Sequence, residues 1–276
     1  MKKNLTIFFG AGGAGEAVCL HTQELPDFFI DNDKAKWGKK LNSIEIMAPS
    51  FLEKNHSLID KVVISSGSVS EILPQVLSCG IAREKVVIPP KAFLGKHPFK
   101  NKENRKIAAE LVFEMVERFR SRGKIVAVGG TALGFARDGD FIPWDFDMDF
   151  FAPDFLQESL EEYLDKKNIQ HKIVNGILLF NFDLAGDEVI PVGIKFLDVT
   201  RLVYEDYFGD HYWEWPMEMF VDCEEVMIAS KKVFIPKPSS TYLAGVFGET
   251  WQKPNKEFNY FDYNGAGGRG QACNSK

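Results

Sequence analysis

Between Phe135 and Phe151 the chain reads FARDGDFIPWDFDMDFF. Asp145, Asp147 and Asp149 stand at alternate positions, with Trp144, Phe146, Met148 and Phe150 filling the places around them. On a strand, alternate side chains share a face, so one face is apolar core and the other a row of carboxylates. Such a row repels itself unless a cation lies against it. Two carboxylates on one strand face make a hard-oxygen site suited to Mg²⁺ or Mn²⁺, and these ions bridge phosphate oxygens. Just upstream, Gly129 and Gly130 end a strand (KIVAVGG) and open a helix (TALGFARDG). Their N–H groups and Thr131 can receive a phosphate there. Arg137 can neutralise phosphate through paired hydrogen bonds, and Asp145 can brace the loop that Pro143 and Trp144 shape.

A second glycine run lies near the N-terminus. Gly10, Gly12 and Gly15 fit G-x-G-x-x-G between the apolar strand NLTIFF and a helix, and Asp31 ends the next strand, FFIDND. This is the context of the dinucleotide fingerprint: glycines admit a pyrophosphate at the helix N-terminus, and the acid accepts from ribose hydroxyls. The same glycines also serve a tight strand–helix turn that binds no nucleotide. No second half exists to hold a nicotinamide and no Tyr-x-x-x-Lys pair is present, which argues against hydride chemistry.

The elements that carry these residues follow from periodicity. From NLTIFF to KVVIPP (85–90) strands alternate with helices, which predicts a parallel, doubly wound sheet. Pro89, Pro90 and the basic stretch KHPFKNKENRK (96–106) mark a junction. Ile107, Leu111, Met115 and Phe119 then repeat every four residues, the sign of an amphipathic helix closed by Gly123. Beyond the acidic strand, residues 155–168 read as a helix, ILLFNFDL and VGIKFLDV as strands, and STYLAGVFGETW as a last helix. The expected organisation is a Rossmann-like domain at 1–95, a linker at 96–106, a second domain at 107–256 and a flexible, glycine-rich tail at 257–276. The aromatic run YFGDHYWEWPMEMF (207–220) reads as core or interface, with sugar or base stacking as the alternative. His171 and His211 read as ordinary packed or surface histidines.

Composition narrows the class. A net charge of −6 gives no whole-chain attraction to nucleic acid. Cys19, Cys79, Cys223 and Cys273 are scattered, without zinc-knuckle or disulfide-framework spacing, and read as reduced thiols. The apolar part of MKKNLTIFFGAGG is too short and too broken for a signal peptide, and no run suits a membrane span. A cytoplasmic protein is expected. Peripheral association with the inner membrane face and homo-oligomer formation are left open by the sequence.

The stretch GGTALGFARDGDFIPWDFDMDF closely resembles the hallmark of the LicD family of phosphotransferases, which includes the fukutin-related proteins. Gly129, Gly130, Thr131, Gly134, Arg137, Ile142, Pro143, Trp144, Asp145, Asp147 and Asp149 all match it, while Phe146 stands where many bacterial members carry another Asp. TYLAGVFGETWQKP (241–254) resembles the family's closing stretch, so the likeness spans about 107–255. It implies a nucleotidyltransferase fold of the polymerase-beta palm type. It also implies metal-dependent transfer of a phospho-group from a CDP-activated donor to a hydroxyl of a cell-surface glycan or glycolipid, as in capsule or lipopolysaccharide synthesis. The group would be phosphocholine or a phospho-alditol such as glycerol- or ribitol-phosphate. By position, Asp147 and Asp149 would hold Mg²⁺ or Mn²⁺. A third acid, Asp198 with Asp183 as runner-up, would complete the site or take the acceptor's proton. Residues 4–90 resemble the Rossmann-like domains attached to bacterial glycan-modifying enzymes, which implies the fold and leaves a nucleotide ligand open. The alternatives are a nucleotidyltransferase acting on CTP or another NTP with a small phosphorylated substrate, and a non-enzymatic nucleotide-sensing or assembly module.

Overall fold

Apolar runs flanked by glycine, proline and acid set the first unit of the chain. The computed structural model describes residues 4–267. One unit runs to Lys96 and includes Asn255–Asp262; the other holds His97–Pro254 and resumes at Tyr263. In the first, β1 (Leu5–Phe9), α1 (Gly13–Thr22), β2 (Phe28–Ile30), β3 (Lys40–Leu41), β4 (Ile44–Met47), α2 (Ser50–Asn55), β5 (Ile59–Ile64), α3 (Val69–Ser78) and β6 (Val86–Val87) follow in order. The sheet order is β3-β4-β2-β1-β5-β6, parallel except for the β3–β4 pair. Ile7, Phe8, Phe29 and Ile64 are wholly buried, which is why these strands are almost continuously apolar. The chain crosses from one side of β1 to the other, so the loop after β1 sits at the switch point where α/β sheets bind ligands.

Asn255–Asp262 packs with this first unit. Tyr260 is buried in its core, Lys91 N–H donates to the Phe258 carbonyl at 2.7 Å, and Arg83 lies over the Phe261 ring. The tail expected from residue 257 thus has an anchored start, because its aromatic residues find apolar cover; 268–276, with Cys273, lie outside the described residues. Cys19, Cys79 and Cys223 are free.

The second unit begins with α4 (Lys102–Phe119), then β7 (Val126–Ala127), α5 (Gly129–Asp138), β8 (Met148–Pro153), α6 (Gln157–Lys166), β9 (His171–Val174), β10 (Ile177–Asp183) and β11 (Val189–Leu197). There follow β12 (Val203–Phe208), β13 (His211–Pro216), α7 (Glu218–Val221), β14 (Glu224–Ile228), β15 (Lys231–Ile235), α8 (Ser239–Phe247) and β16 (Ala266–Gly267). Helix α4 starts inside the stretch expected to be linker: the Asn101 side chain accepts from Glu103 N–H at 2.9 Å and caps it. Its charged first turn is what resembles a linker in sequence. A seven-stranded mixed sheet runs β14-β15-β7-β8-β11-β10-β9, and a three-stranded sheet runs β12-β13-β16. The two hairpins β12–β13 and β14–β15 are strands that the sequence reading did not separate; the 207–220 aromatic run is mostly the former, with Trp213 and Trp215 facing the core.

β8 lies between β7 and β11. Met148 and Phe150 are buried on one face, so the alternation read from sequence is realised from Met148 on; Asp145 and Asp147 lie ahead of the strand, after the turn at Pro143 and Trp144. α5 packs closely on the loop that leads to β8: a Cβ on Gly134 would lie 2.7 Å from the Asp140 carbonyl oxygen and 3.1 Å from Ile142. Backbone on the receiving side cannot rotate away. Gly134→Ala is therefore expected to destabilise the second unit by about 2 kcal/mol, overpacking outweighing the roughly 1 kcal/mol gain in helix propensity, measured as a fall in the denaturation midpoint.

Candidate active site

The acidic row is held by a turn and a neighbouring strand. Asp147 immediately precedes β8 and Asp149 is its second residue. Val128 N–H donates to the Asp149 carbonyl and Asp149 N–H donates to Thr131 Oγ1, both at 3.0 Å. These two bonds lock the strand to the first turn of α5. Gly129 has φ +55°, a left-handed conformation that glycine adopts without steric cost. Its N–H donates to the hydroxyl of Tyr242, from α8, at 3.1 Å.

The carboxylate of Asp149 occupies a slot between two glycines. A Cβ on Gly193 of β11 would lie 3.1 Å from Asp149 Oδ1, and one on Gly129 would lie 3.7 Å from Oδ2. Asp145 sits over Gly130, with Oδ2 only 2.5 Å from where a Cβ would be. It braces the turn before β8, as expected: its N–H donates to the Ile142 carbonyl and its Oδ1 accepts from Phe146 N–H. Asp145 and Asp149 thus cluster at the N-terminal end of α5, where the helix dipole favours negative charge.

In front of the pair lies a cleft of about 500 Å³ lined by Asp147, Asp149, Gly193, Leu179, Asn181 and Lys172, a volume suited to a small molecule. Register sets its floor. Asp149 pairs with Gly193, Gly193 with Leu179 and Leu179 with Lys172, a row across four strands that spans about 14 Å.

Several expected site residues lie elsewhere or do other work. Asp198 follows the last residue of β11, five positions beyond Gly193, about 16 Å along the strand. It is exposed, and hydrogen bonds from Thr200, then Arg201, hold its carboxyl below the usual range. It therefore does not join Asp147 and Asp149. Asp183 ends β10 opposite Val189, on the face and at the end where the pair lies, but two strands away. Arg137 lies eight residues from Gly129, about 12 Å along α5, and makes a two-bond ion pair with Asp138 at 2.8 and 2.6 Å. The Gly129 N–H and the Thr131 oxygen, expected to receive phosphate, are spent on Tyr242 and Asp149. His171 turns to α6, 3.9 Å from Glu161 and Asp165; His211 stacks on Trp213.

The sequence reading missed Gly193, Tyr242, Lys195 and Asp206. Gly193 carried a signal, since an isolated glycine in a strand marks a close approach. Tyr242 is buried, and burial first, then the charges of Asp206 and Asp149, push its hydroxyl far above the usual phenol range, so it stays neutral. Lys195, on the face of β11 that carries Gly193, bonds Asp206 at 3.0 Å, and Tyr204 donates to the same carboxylate at 2.8 Å.

Among the described residues no three acid, histidine or cysteine side chains converge on a metal position. A Mg²⁺ site, however, needs one or two carboxylates, with substrate phosphates and water supplying the rest. Asp147 and Asp149, on one face of an open cleft with glycine on both sides of Asp149, fit that requirement.

In the first unit the glycines serve packing. A Cβ on Gly10, which has φ +124°, would collide with the Ser65 carbonyl, and one on Gly15 with the Gly10 carbonyl. Asp31 accepts from Ala11 N–H (2.9 Å), Lys36 Nζ (2.8 Å) and Asp33 N–H (2.8 Å). The acid expected to meet a ribose is thus committed to bracing the loop. Gly12 remains open, with Lys36 Nζ 3.9 Å from its Cβ position.

A palm of this kind, with one aspartate on its central strand and another just before it beside a glycine turn, is a nucleotidyltransferase fold. Residues 124–238 match the model of the LicD/FKTN/FKRP nucleotidyltransferase domain, so the second unit carries a LicD-type domain, which points to a transferase. No curated protein matches the chain. Among solved structures it is similar to the lincosamide antibiotic adenylyltransferase LnuA with lincomycin bound (8% identity, 46% of this chain and 79% of that one, TM-score 0.35). It is also similar to UDP-D-quinovosamine 4-dehydrogenase from Vibrio fischeri (23%, 32% and 79%, 0.27). A third likeness is to the UDP-N-acetylglucosamine 3-dehydrogenase GnnA from Acidithiobacillus ferrooxidans (13%, 83% and 82%, 0.25).

Two substitutions test this geometry. Tyr242→Phe leaves the part-buried Gly129 N–H without its acceptor and is expected to cost about 1 kcal/mol in denaturant unfolding. In the first unit, burial would raise the Asp31 carboxyl, but hydrogen bonds from Lys36, Asp33 and Ala11 outweigh it and lower its pKa. A depressed carboxyl stabilises above the unfolded pKa, and that stability is lost as pH falls through the folded value. Asp31→Asn is thus expected to cost about 2 kcal/mol at neutral pH, with the gap from wild type closing once the pH is below 3.8.

Proposed function

We propose that the chain is a metal-dependent phosphotransferase that moves a phospho-group, phosphocholine or a phospho-alditol, from a CDP-activated donor to a hydroxyl of a glycan or glycolipid. The observation that carries this is the Asp147–Asp149 pair beside the Gly129–Gly130 turn, facing an open cleft within a LicD-type domain. Mg²⁺ or Mn²⁺ held by the two carboxylates supplies charge neutralisation on the donor pyrophosphate. The chain's own residues supply position: Thr131 and Gly193 fix Asp149, Tyr242 holds the Gly129 turn that faces it, and the flat floor of Gly193 and Leu179 lets the donor lie across the sheet toward Lys172. The acceptor oxygen bonds to the phosphorus of the transferred group, the bond to the CMP oxygen breaks, and the hydroxyl proton leaves to base or solvent. The products are a phosphodiester on the glycan and CMP. We place the reaction at the cytoplasmic side of the membrane, where nucleotide-activated donors are made.

A second reading keeps the cleft and changes the donor: a nucleotidyltransferase that loads CTP onto a small phosphate. The nucleotidyltransferase character of the matched domain supports it. The two differ in leaving group, CMP from a CDP-conjugate against pyrophosphate from an NTP.

Thermal shift against a nucleotide panel, with and without Mg²⁺ or Mn²⁺, tests the proposal. A ligand that binds only the folded state raises its stability, by about 2.7 kcal/mol at a hundred times Kd. CDP is expected to stabilise the chain only with metal, and neither Asp147→Ala nor Asp149→Ala should respond while each keeps the wild-type far-UV spectrum. Stabilisation by CDP that is indifferent to metal or to these substitutions would overturn the assignment.

A further inference from the structure

The face of β8 that carries Asp149 continues to Phe151. Its ring packs on Tyr204 and Phe220, with centroids 5.0 and 5.1 Å away. Beyond this aromatic wall, toward the C-terminal end of β8, lies a second cavity of about 290 Å³. Its floor is apolar: Phe151, Leu197, Val199 and Phe220. Its rim carries Arg120, Arg122 and Lys124, and no acid lines it. Two large apolar side chains stand at its lip, Phe155 (55% exposed) and Val221 (50% exposed). Single exposed apolar residues are ordinary; two beside an apolar cavity under a cationic rim are a combined feature. Arg120 is paired with Glu117 and Glu225, and Lys124 donates to the Val221 carbonyl at 3.0 Å. Arg122 is exposed and makes no ion pair among the described residues.

We propose that this corner of the second unit binds an anionic membrane lipid, an alkyl segment entering the cavity and the headgroup phosphate meeting Arg122 and Lys124. Charge and apolar surface together select this occupant. A bilayer rich in anionic lipid presents both, and basic residues beside it add attraction. A neutral bilayer supplies only the apolar part, and a soluble phosphate only the charge. Among the described residues no helix is long and apolar enough to cross a membrane, so the contact would be peripheral. The inference goes beyond the proposed transfer reaction and is read without turnover.

Sedimentation of the full chain with vesicles tests it. Binding is expected to vesicles of phosphatidylglycerol and phosphatidylcholine in equal parts, and to be weak with pure phosphatidylcholine. One basic residue near an anionic bilayer contributes about fivefold to partitioning, so Arg122→Glu should lower binding roughly twentyfold. Val221→Asp, which leaves the cations in place, should lower it as well, and Phe155→Ser serves the same purpose if Val221→Asp fails to fold. Lys54→Glu, an exposed position in the first unit, should bind as wild type. Equal binding to both vesicle types overturns the proposal. So does retained binding in folded Arg122→Glu, or in both lip variants, since the attraction would then be diffuse charge or another surface.

Discussion

Holding carboxylates close together where a turn enters a strand is the constraint around which the second unit is built. Side chains two residues apart on a strand stand about 7 Å from each other. Two full charges at that distance repel by about 2 kcal/mol at an effective dielectric of 20, and by about 0.6 kcal/mol in water. Asp149 lies in β8 and Asp147 just before it, and Asp145 adds a third charge from the turn over Gly130. The positive end of α5 offsets part of this, since Asp149 and Asp145 lie against Gly129 and Gly130 at its first turn. The remainder must be resisted by geometry, and the local bonds do that. Thr131 and Val128 hold the backbone of Asp149 from one side, and Tyr242 holds the turn that faces it.

The same constraint explains why glycine appears where it does. A carboxylate set between a helix start and a neighbouring strand crowds a Cβ on the strand side, where one on Gly193 would lie 3.1 Å from Asp149 Oδ1. Gly193 meets that need for Asp149 and Gly130 meets it for Asp145, while Gly129 is called for by its left-handed backbone. The other face of β8 supplies the anchoring energy. Met148 and Phe150 are buried in the main core, each contributing about 2–3 kcal/mol of apolar burial. The sheet thus offsets electrostatic strain on one face with packing on the other. A one-residue slip of β8 would reverse both at once, so the register that exposes the acids is also the register that buries the core.

This division separates what was legible in the sequence from what was not. The glycine turn and the strand–helix alternation of the first unit are local patterns, fixed by spacing of a few residues, and they stand where the spacing put them; of the expected aspartate row, Asp149 lies in β8 while Asp147 falls just before it and Asp145 sits over Gly130, because the turn at Pro143 and Trp144 delays the strand. The placement of Asp198 depended on the register between β8 and β11, strands more than forty residues apart in sequence; spacing along one strand carries no such information. Arg137 is a different case. Eight residues of helix separate it from Gly129, and helical rise alone sets the two far apart. Its type suggested a phosphate contact, and its position denied one. Tyr242 was hidden because its role arises when α8 returns to a turn more than a hundred residues earlier. The hairpin at 203–216 was obscured because its aromatic residues read equally well as a packed cluster.

Both units use a strand, a glycine turn and a helix, yet the electrostatics of the two turns are opposite in kind. In the first unit the acid near the turn is neutralised within the chain: Lys36 sits on Asp31 at 2.8 Å and reaches over Gly12. An anion approaching that loop meets a cation and backbone N–H groups. In the second unit the helix start faces the chain's own carboxylates, so an approaching phosphate meets negative charge before it meets the turn. A divalent cation held by Asp147 and Asp149, as proposed, would reverse that field and favour phosphate at the turn. Under the proposed reading, gating by metal would follow from where the aspartates stand, and it would fall on the glycine turn of the second unit.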